Sequence, residues 1–401
     1  MRIVYPYNEV LPKRAAHDVY IVQNCAALAV AGCQVTLLCG RGSLPPSELY
    51  RHYGIGPVGY YPTPGNIGQS NLAAEANSAA INTLPKIEPL PIVRKGNGYR
   101  FSWNFPFFFA CQRTFRRLQP QVVITSVLKQ AGHHIRRRLP GVAYVYEAHG
   151  LAGYPGQSLA QKQASIACER DVLARMDLVT VTTAALKHIL QQPPYALSNR
   201  IDIIPLAVRA DPLPPPRPHP VPLTVSYVGQ LYPNQGVALL LEALARVPEV
   251  QCQVYGGKNP DIEKFQKQCH ALGIDSRVHW HGFHPPARLR EMVADSDVFV
   301  APFLSVDQMP YVAHTKLLEY TRWGRPIIAP DLPVVREHFI DGENAVLFRA
   351  GDAQSLADAL RRVADETLRA RLYTGLQRLA PRFTWEARTK IYLQALHELG
   401  S

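Results

Sequence analysis

The sequence has no cysteine arrangement typical of a disulfide framework or a structural zinc site. Its seven cysteines are scattered over 401 residues, their number is odd, and no two form a Cys-x-x-Cys pair. Disulfide-rich domains use even sets of closely spaced cysteines, and structural zinc sites commonly use such pairs. We therefore expect a cytoplasmic protein with reduced thiols.

The sequence also lacks an apolar run long enough to span a membrane. The longest apolar stretch, residues 25–39, is interrupted by Gly32 and Gln34 and is shorter than the roughly 20 residues that a bilayer requires. The opening residues, MRIVYPYNEV, are not followed by the apolar region of a signal peptide. We expect neither a membrane span nor a signal peptide.

Acidic residues are too few to balance the basic ones. The chain has 31 Asp and Glu against 43 Lys and Arg, a net charge of +12, with basic clusters such as HHIRRRLP at residues 133–140. Such an excess can serve an anionic membrane surface, an acidic substrate or nucleic acid, or be only a solvated helix face. No arginine-rich helix or aromatic stacking motif supports nucleic-acid binding. We expect no nucleic-acid partner and consider peripheral contact with the inner face of an anionic membrane.

Short apolar runs alternate with helical patterns from the start of the chain. RIVYP predicts a strand, a polar loop follows over residues 7–18, an apolar-periodic helix ends at Gly32, and CQVTLLCG predicts the next strand. This order is the repeating unit of a parallel, doubly wound α/β sheet. Further strands are predicted at residues 121–126, 143–150, 178–183 and 200–208.

A proline-dense segment, residues 211–222, separates two such halves and predicts an extended, semi-rigid linker. After it the alternation restarts, with strands predicted at residues 223–229, 250–257, 277–283, 297–303 and 326–331 and a terminal amphipathic helix at 385–399. The length suits two domains. The sequence therefore predicts an α/β protein of two Rossmann-like doubly wound domains with a ligand cleft between them.

Several strings carry a resemblance to a known enzyme family. They are SYVGQLYPNQGVALLLEALA (226–245), ADSDVFVAPF (294–303), TKLLEYTRWGRPIIAPDLPVVREHFIDGENAVLF (315–348), YEAHG (146–150) and ERDVLARMDLVTVTTAALK (169–187). Together they resemble the GT-B glycosyltransferases, specifically the retaining GT4 family (glycosyl transferases group 1). The resemblance implies an acceptor domain over residues 1–212, a nucleotide-sugar donor domain over 213–383, and a C-terminal helix, 384–401, that returns to the first domain.

The resemblance also implies a donor site. Glu319 would accept hydrogen bonds from the ribose hydroxyls, since a carboxylate can take two adjacent hydroxyl donors. We expect Glu319 in the first turn of a helix, with Thr315 as its N-cap and the amides of residues 315–318 directed at a diphosphate. The residues expected to contact the donor are Glu319, Thr315, Gly229, Gln230, Gln235, Gly256, Gly257 and Leu317.

The sequence departs from the family pattern at the diphosphate. Relatives carry a second acid eight residues before Glu319, where this chain has Tyr311, and a pair of cations where it has Gln230 and Gln235. A metal-independent transferase must still stabilise the departing diphosphate. We expect Lys316 to supply the charge, in preference to Lys258 or to Lys13 and Arg14 of the first loop.

The first domain is expected to supply the remaining contacts. By resemblance His149 would contact the transferred sugar, and Glu147, on the same strand face, would orient it. His149, Lys316 and Glu147 are the expected catalytic residues. Four residues of the first loop are expected near the acceptor and the donor phosphates: Asn8, Lys13, Arg14 and His17. This loop lacks the family's usual Gly-Gly pair, and the loop at 205–212 is also altered.

The histidines of the HWHGFH string, His279, His281 and His284, suggest a metal site at first sight. No acid or cysteine converges on them in the sequence, so we expect no metal. No carboxylate pair suggests a glycosidase either.

The resemblance implies a metal-independent, hexosyltransferase-type enzyme (EC 2.4) with no cofactor beyond its nucleotide-sugar co-substrate. Its acceptor would be a glycan, a lipid-linked molecule or a small molecule, in cell-envelope or polysaccharide biosynthesis. The alternative is a degenerate GT-B protein that binds a sugar nucleotide or glycan as a regulatory or scaffold subunit. Gln230 and Gln235 keep that alternative open.

Overall fold

The computed structural model describes most of the chain. The described residues are 1–12, 16–40, 42–53, 55, 85–90, 105–152, 157–210, 212–215, 222–284, 286–306 and 308–399. Lys13, Arg14 and most of the proline-dense segment lie outside them.

Within this part of the chain, seven parallel strands form the first sheet. They are β1 (Arg2–Val10), β2 (Gln34–Gly40), β3 (Lys86–Leu90), β4 (Val122–Thr125), β5 (Ala143–Ala148), β6 (Leu178–Val181) and β7 (Ile201–Ile203). Their spatial order is β3-β2-β1-β4-β5-β6-β7. Every residue of β4 is buried, as expected of a parallel strand covered on both faces. The order reverses between β1 and β4, where doubly wound sheets bind ligands at the carboxyl edge.

The second sheet has six described strands, again all parallel. They are β8 (Leu223–Val228), β9 (Val250–Tyr255), β10 (Val278–Gly282), β11 (Val298–Val300), β12 (Ile327–Pro330) and β13 (Val346–Phe348). Their order is β10-β9-β8-β11-β12-β13, so the reversal lies between β8 and β11. The predicted class, two Rossmann-like doubly wound α/β domains, is confirmed.

Helices connect these strands. Those described are α1 (Ala16–Val30), α2 (Pro46–His52), α3 (Phe105–Leu118), α4 (Leu128–Ile135), α5 (Leu159–Leu173), α6 (Ala184–Gln191), α7 (Val237–Leu244), α8 (Asn259–Leu272), α9 (Pro286–Met292), α10 (Thr315–Trp323), α11 (Pro333–Arg336), α12 (Ala353–Arg362), α13 (Glu366–Leu379) and α14 (Trp385–His397). Among the described residues, no helix combines the length and the apolar character needed to cross a bilayer.

The chain divides into two compact units. The first contains Met1–Val181, Ile189–Ile204 and Thr389–Ser401, and the second contains Thr182–His188 and Pro205–Arg388. The last part of α14 therefore belongs to the first unit, where the buried Tyr392 packs in the same core as β1, β2 and α1.

Two details differ from the sequence prediction. β1 continues to Val10, which pairs with Gly40 after an irregularity in the ladder, so Asn8 is a strand residue and not a loop residue. The strands β3 and β13 were not predicted. β3 (KIEPL) is an edge strand with Pro89, and proline in a short polar run is a signal against a strand.

Candidate functional site

Three glycines allow the loops after β8 and β9 to pack backbone against backbone. The Gly229 amide donates to the Tyr255 carbonyl (2.9 Å), and the Gly256 amide donates to the Gly282 carbonyl (2.7 Å). A Cβ atom on Gly256 would lie 2.1 Å from the Gly229 oxygen. Gly256 and Gly257 also have φ values of +121° and +84°, which other residues rarely adopt. Glycine is therefore required at this edge of the sheet.

The segment after Gly229 presents two glutamines. Gln230 is exposed, and its carbonyl accepts a 2.5 Å hydrogen bond from the Tyr227 hydroxyl. Gln235 ends a 3-10 turn that precedes Gly236, where a Cβ atom would meet the Pro302 oxygen at 1.8 Å. The turn thus lies directly against the segment after β11, and this contact fixes the position of Gln235.

The Lys316 ammonium is enclosed beside these loops. Its Nζ donates to Gln235 Oε1 (2.8 Å) and lies 3.9 Å from the centre of the Tyr227 ring and 5.3 Å from that of Phe303. Nζ is also 2.7 Å from where a Cβ of Gly229 would be, so any larger residue there would displace it. Burial holds the pKa of Lys316 well below its usual value, although the residue keeps some exposed surface.

The start of α10 differs from the prediction. His314, not Thr315, is the N-cap, and its side chain makes no capping hydrogen bond. Thr315 is the first helical residue. The Leu317 amide donates to the His314 carbonyl (3.0 Å), so the amides left without an intrahelical acceptor are those of Thr315 and Lys316.

Glu319 is the fifth residue of α10, so it lies in the second turn and the expected first-turn dipole effect does not apply. Its Oε2 accepts a 2.8 Å hydrogen bond from Arg322 Nη1, and its side chain is one-third exposed (33%). The next residue, Tyr320, is buried and accepts a 2.9 Å hydrogen bond from the Val228 amide. This bond fixes α10 against β8 and so sets the position of Glu319.

The pH dependence of stability provides a test of whether the His314 side chain is buried. Its Nε2 lies 2.9 Å from the Met309 carbonyl and its ring stacks on Phe303 at 4.1 Å. Burial lowers the pKa of His314 to about 4. The unfolded state therefore binds more protons below pH 6.5, and stability falls as the pH falls, by about 2 kcal/mol for this group at pH 5.

We expect the wild type to lose thermal stability between pH 7.5 and 5, and His314→Gln to lose about 2 kcal/mol less over the same range. Differential scanning calorimetry at both pH values measures this. The exposed His279 provides the control substitution His279→Gln, which should keep the wild-type dependence. An unchanged dependence in His314→Gln would contradict the assignment.

In the first unit, Glu147 is a buried carboxylate at the end of β5. It accepts hydrogen bonds from Tyr5 Oη (2.5 Å), Tyr20 Oη (2.9 Å) and Asn24 Nδ2 (3.2 Å). Burial, followed by the Glu147 charge, raises the pKa of Tyr5 well above its usual value. The carboxylate therefore ties β1 and α1 to β5.

His149 follows β5 and is half-buried. Its ring contacts Tyr20 edge to face at 4.5 Å and His17 at 5.5 Å. His17 Nε2 lies 3.0 Å from Ser126 Oγ, and burial lowers the pKa of His17. The structure therefore brings His149, Glu147 and His17 together, with Tyr20 touching all three.

Asn8 lies on β1, where its side-chain amide is hydrogen-bonded to that of Gln130 on α4. The predicted first-loop residues thus separate: Asn8 on a strand, His17 on α1, and two outside the described residues.

No metal cluster forms among the described residues: they contain no group of three His, Cys, Asp or Glu side chains suited to hold an ion. His281 instead stacks on Tyr255 at 4.4 Å with its Nε2 2.6 Å from Gln253 Oε1, and His284 Nε2 lies 2.9 Å from the His281 carbonyl.

Sequence reasoning missed the aromatic residues around Lys316 and the one between Glu147 and His149. Tyr227 and Phe303 surround the Lys316 ammonium, and Tyr20 joins Glu147 to His149. The sequence contained one signal that could have identified Tyr227: it stands two residues before the strand-ending Gly229, on the same strand face.

Two family models match the chain in succession. Residues 16–207 match the glycosyl transferase 4-like domain, and residues 222–366 match glycosyl transferases group 1. The chain belongs to the GT4-like glycosyltransferases of the GT-B fold. The resemblance stated from the sequence is confirmed.

The proteins to which this chain is similar are consistent with this family. The lipopolysaccharide core biosynthesis glycosyltransferase LpsE of Rhizobium meliloti is 32% identical over 181 residues, 45% of this chain and 51% of LpsE. The chain thus matches about half the length of this relative. Sucrose-phosphate synthase from Thermosynechococcus elongatus has a TM-score of 0.73 at 19% identity, covering 99% and 98% of the two chains. HepE from Anabaena, solved with UDP, has a TM-score of 0.69 at 15% identity, covering 99% and 100%.

Proposed function

We propose that this glycosyltransferase takes a sugar from a nucleoside diphosphate sugar and passes it to a hydroxyl acceptor, with retention of configuration and without a metal ion. The observation that carries the proposal is the Lys316 ammonium, held at the first turn of α10 beside Gly229. A cation next to helix N-terminal amides suits a diphosphate. That HepE was solved with UDP and with UDP-glucose supports this class of donor.

Three groups of residues would each bind a different part of the donor. The Thr315 and Lys316 amides and the Lys316 ammonium would bind the diphosphate. Glu319 would accept hydrogen bonds from the ribose hydroxyls, with Arg322 fixing the orientation of the carboxylate through Oε2. Gly229, Gly256 and Gly257 would let the nucleotide approach the backbone closely.

The Lys316 ammonium would also stabilise the charge that develops on the leaving group. The bond from the anomeric carbon to the phosphate oxygen breaks, the bond to the acceptor oxygen forms, and the acceptor proton passes to the leaving phosphate oxygen. In the first unit, His149 would hydrogen-bond the transferred sugar, while Glu147 would act through Tyr20 as a positioning residue. This route requires no carboxylate nucleophile.

The named activity of LpsE supports a role in the cell envelope. We propose hexosyl transfer to a glycan or lipid-linked acceptor, in the cytoplasm or at the inner membrane face. The exchange of two family cations for Gln230 and Gln235 favours a second candidate, a degenerate GT-B protein that binds a sugar nucleotide without turnover.

Thermal stability with a panel of UDP, GDP, ADP, CDP and TDP tests the donor site. One nucleotide at about 100 times its Kd should stabilise the wild type by about 2.7 kcal/mol. Glu319→Ala should weaken that binding at least tenfold, because charged hydrogen bonds contribute about 1.5–3 kcal/mol. Glu242→Ala, on the exposed side of α7, is the control and should bind normally.

Each result separates the candidates. If no nucleotide stabilises the wild type, the result contradicts the proposed donor site. If a nucleotide binds, but the corresponding radiolabelled sugar nucleotide is neither hydrolysed nor used to glycosylate any glycan or lipid acceptor, the result supports the non-catalytic binding subunit and contradicts the enzyme.

A further inference from the structure

One segment of the chain carries most of its excess positive charge. Between residues 89 and 146 the sequence has ten Lys and Arg residues and no Asp or Glu, in a protein whose net charge is +12. Such a single-sign region indicates attraction to an anionic partner.

The structure gathers part of this charge on two helices. On α3 the exposed residues Pro106, Phe109, Arg113 and Arg116 recur at intervals of three and four, so they share one helix face. α3 packs against α4. Arg136 and Arg137, immediately after α4, are also exposed. These six residues form what we call the α3/α4 basic surface.

An aromatic side chain joins the two helices on this surface. Phe109 is 61% exposed, and the Arg137 guanidinium lies 5.7 Å from its ring centre. Its neighbours Phe107 and Phe108 are buried, and Phe108 stacks on His133 of α4 at 4.0 Å. The exposure of Phe109 therefore does not result from a loosely packed helix, since the adjacent rings form the internal side of the same helix.

Nearby acids neutralise other arginines. Arg117 pairs with Glu88 (2.5 Å), and Arg138 pairs with Asp177 (2.9 Å). In the described part of the chain, no acidic side chain forms an ion pair with the arginines of the α3/α4 basic surface. Their positive charge is therefore available to an external partner.

We propose that the α3/α4 basic surface docks the protein on an anionic lipid bilayer. Arginines would contact lipid phosphates, and Phe109 would enter the interface between headgroups and acyl chains, the arrangement that basic amphipathic surfaces use. Each basic residue near an anionic bilayer raises the affinity roughly fivefold. A single exposed ring with Pro106 beside it favours a lipid interface over single-stranded nucleic acid, which stacks successive bases on several aromatic residues.

The proposal is independent of the proposed donor chemistry, because it uses no residue of the candidate site. The net charge alone suggested contact with an anionic membrane, and the proposal assigns that contact to the α3/α4 basic surface. It also predicts which face of the first unit approaches the lipid.

Co-sedimentation with vesicles tests it. Purified full-length protein is mixed at 0.1 M salt with vesicles of phosphatidylcholine alone or with 40% phosphatidylglycerol. We expect binding to the anionic vesicles at least tenfold stronger than to the neutral ones. Arg136→Glu/Arg137→Glu should lower it at least tenfold, and Phe109→Ser should weaken it severalfold while retaining the salt dependence.

The matched control is Arg371→Glu/Arg378→Glu, which makes the same charge change at exposed positions of α13. It should bind anionic vesicles like the wild type, and circular dichroism and Tm should show all variants folded. Equal binding to both vesicle types, or equal loss in the control, would overturn the proposal. Binding to single-stranded DNA but not to vesicles, with the same sensitivity to Arg136→Glu/Arg137→Glu, would replace the lipid with nucleic acid.

Discussion

Lys316→Gln is expected to lower the rate of sugar transfer by a factor of about 100–1,000, because removing one preorganised charge-stabilising donor costs about 2.7–4 kcal/mol in comparable sites. Nucleoside diphosphate affinity should fall as well. The side chain is held by Gln235, Tyr227 and Phe303, so the substitution removes a positioned charge. Steady-state kinetics with the donor identified by the nucleotide panel, together with calorimetric titration of its diphosphate, measure both effects.

A reciprocal exchange separates the charge from the residue that bears it. Gln235→Lys alone places two ammonium groups where one donor and one acceptor now meet at 2.8 Å, so diphosphate-free protein should lose stability through like-charge repulsion. The double variant Gln235→Lys/Lys316→Gln restores one cation and one amide, and should recover part of the affinity lost in Lys316→Gln. Lys258→Gln, at the exposed N-cap of α8, is the matched control. Full activity in Lys316→Gln would leave Lys316 a purely structural role.

Glu147→Ala is expected to destabilise the first unit by about 3 kcal/mol and to reduce kcat. The substitution leaves three buried or half-buried donors, Tyr5, Tyr20 and Asn24, without their carboxylate, and each unsatisfied buried group costs about 1–3 kcal/mol. In a unit of this size that corresponds to a fall in Tm of about 6–12 °C. Thermal unfolding and steady-state kinetics measure the two effects.

Positioning and stability can be distinguished by two further variants. Tyr20→Phe removes the 2.9 Å hydrogen bond to Glu147 but keeps the ring that contacts His149, so kcat should fall with a smaller loss of Tm than Glu147→Ala causes. Phe115→Ala, a fully buried residue of α3, should lower stability by about 3–5 kcal/mol while kcat of the folded enzyme remains near that of the wild type. A wild-type kcat in Tyr20→Phe would mean that Glu147 only supports the fold.

Much of the fold could be predicted because its signals are local. Runs such as VVIT in β4 and the glycines after β8 and β9 identify buried parallel strands and their loops within a few residues. β13 was missed, and Asn8 was misplaced because β1 continues through polar residues to Val10.

The candidate site was less accessible to sequence reasoning because its contacts join distant residues. Tyr227 and Gln235 stand more than 80 residues from Lys316 in the chain, yet they enclose its ammonium. The Glu319–Arg322 pair at i, i+3 could have been expected on a helix, whereas the choice between His314 and Thr315 as N-cap depends on a backbone angle that no residue type fixes. The roles of these residues remain predictions.

The path of the chain has a consequence for the order of folding during synthesis. The core of the first unit contains Tyr392, Ala395 and Leu396, which the ribosome makes only after the whole of Pro205–Arg388 in the second unit. At 5–20 residues per second this interval is about 10–40 s. The apolar surface that α14 covers is therefore exposed on the nascent chain for that time, and the second unit can complete its fold before the first.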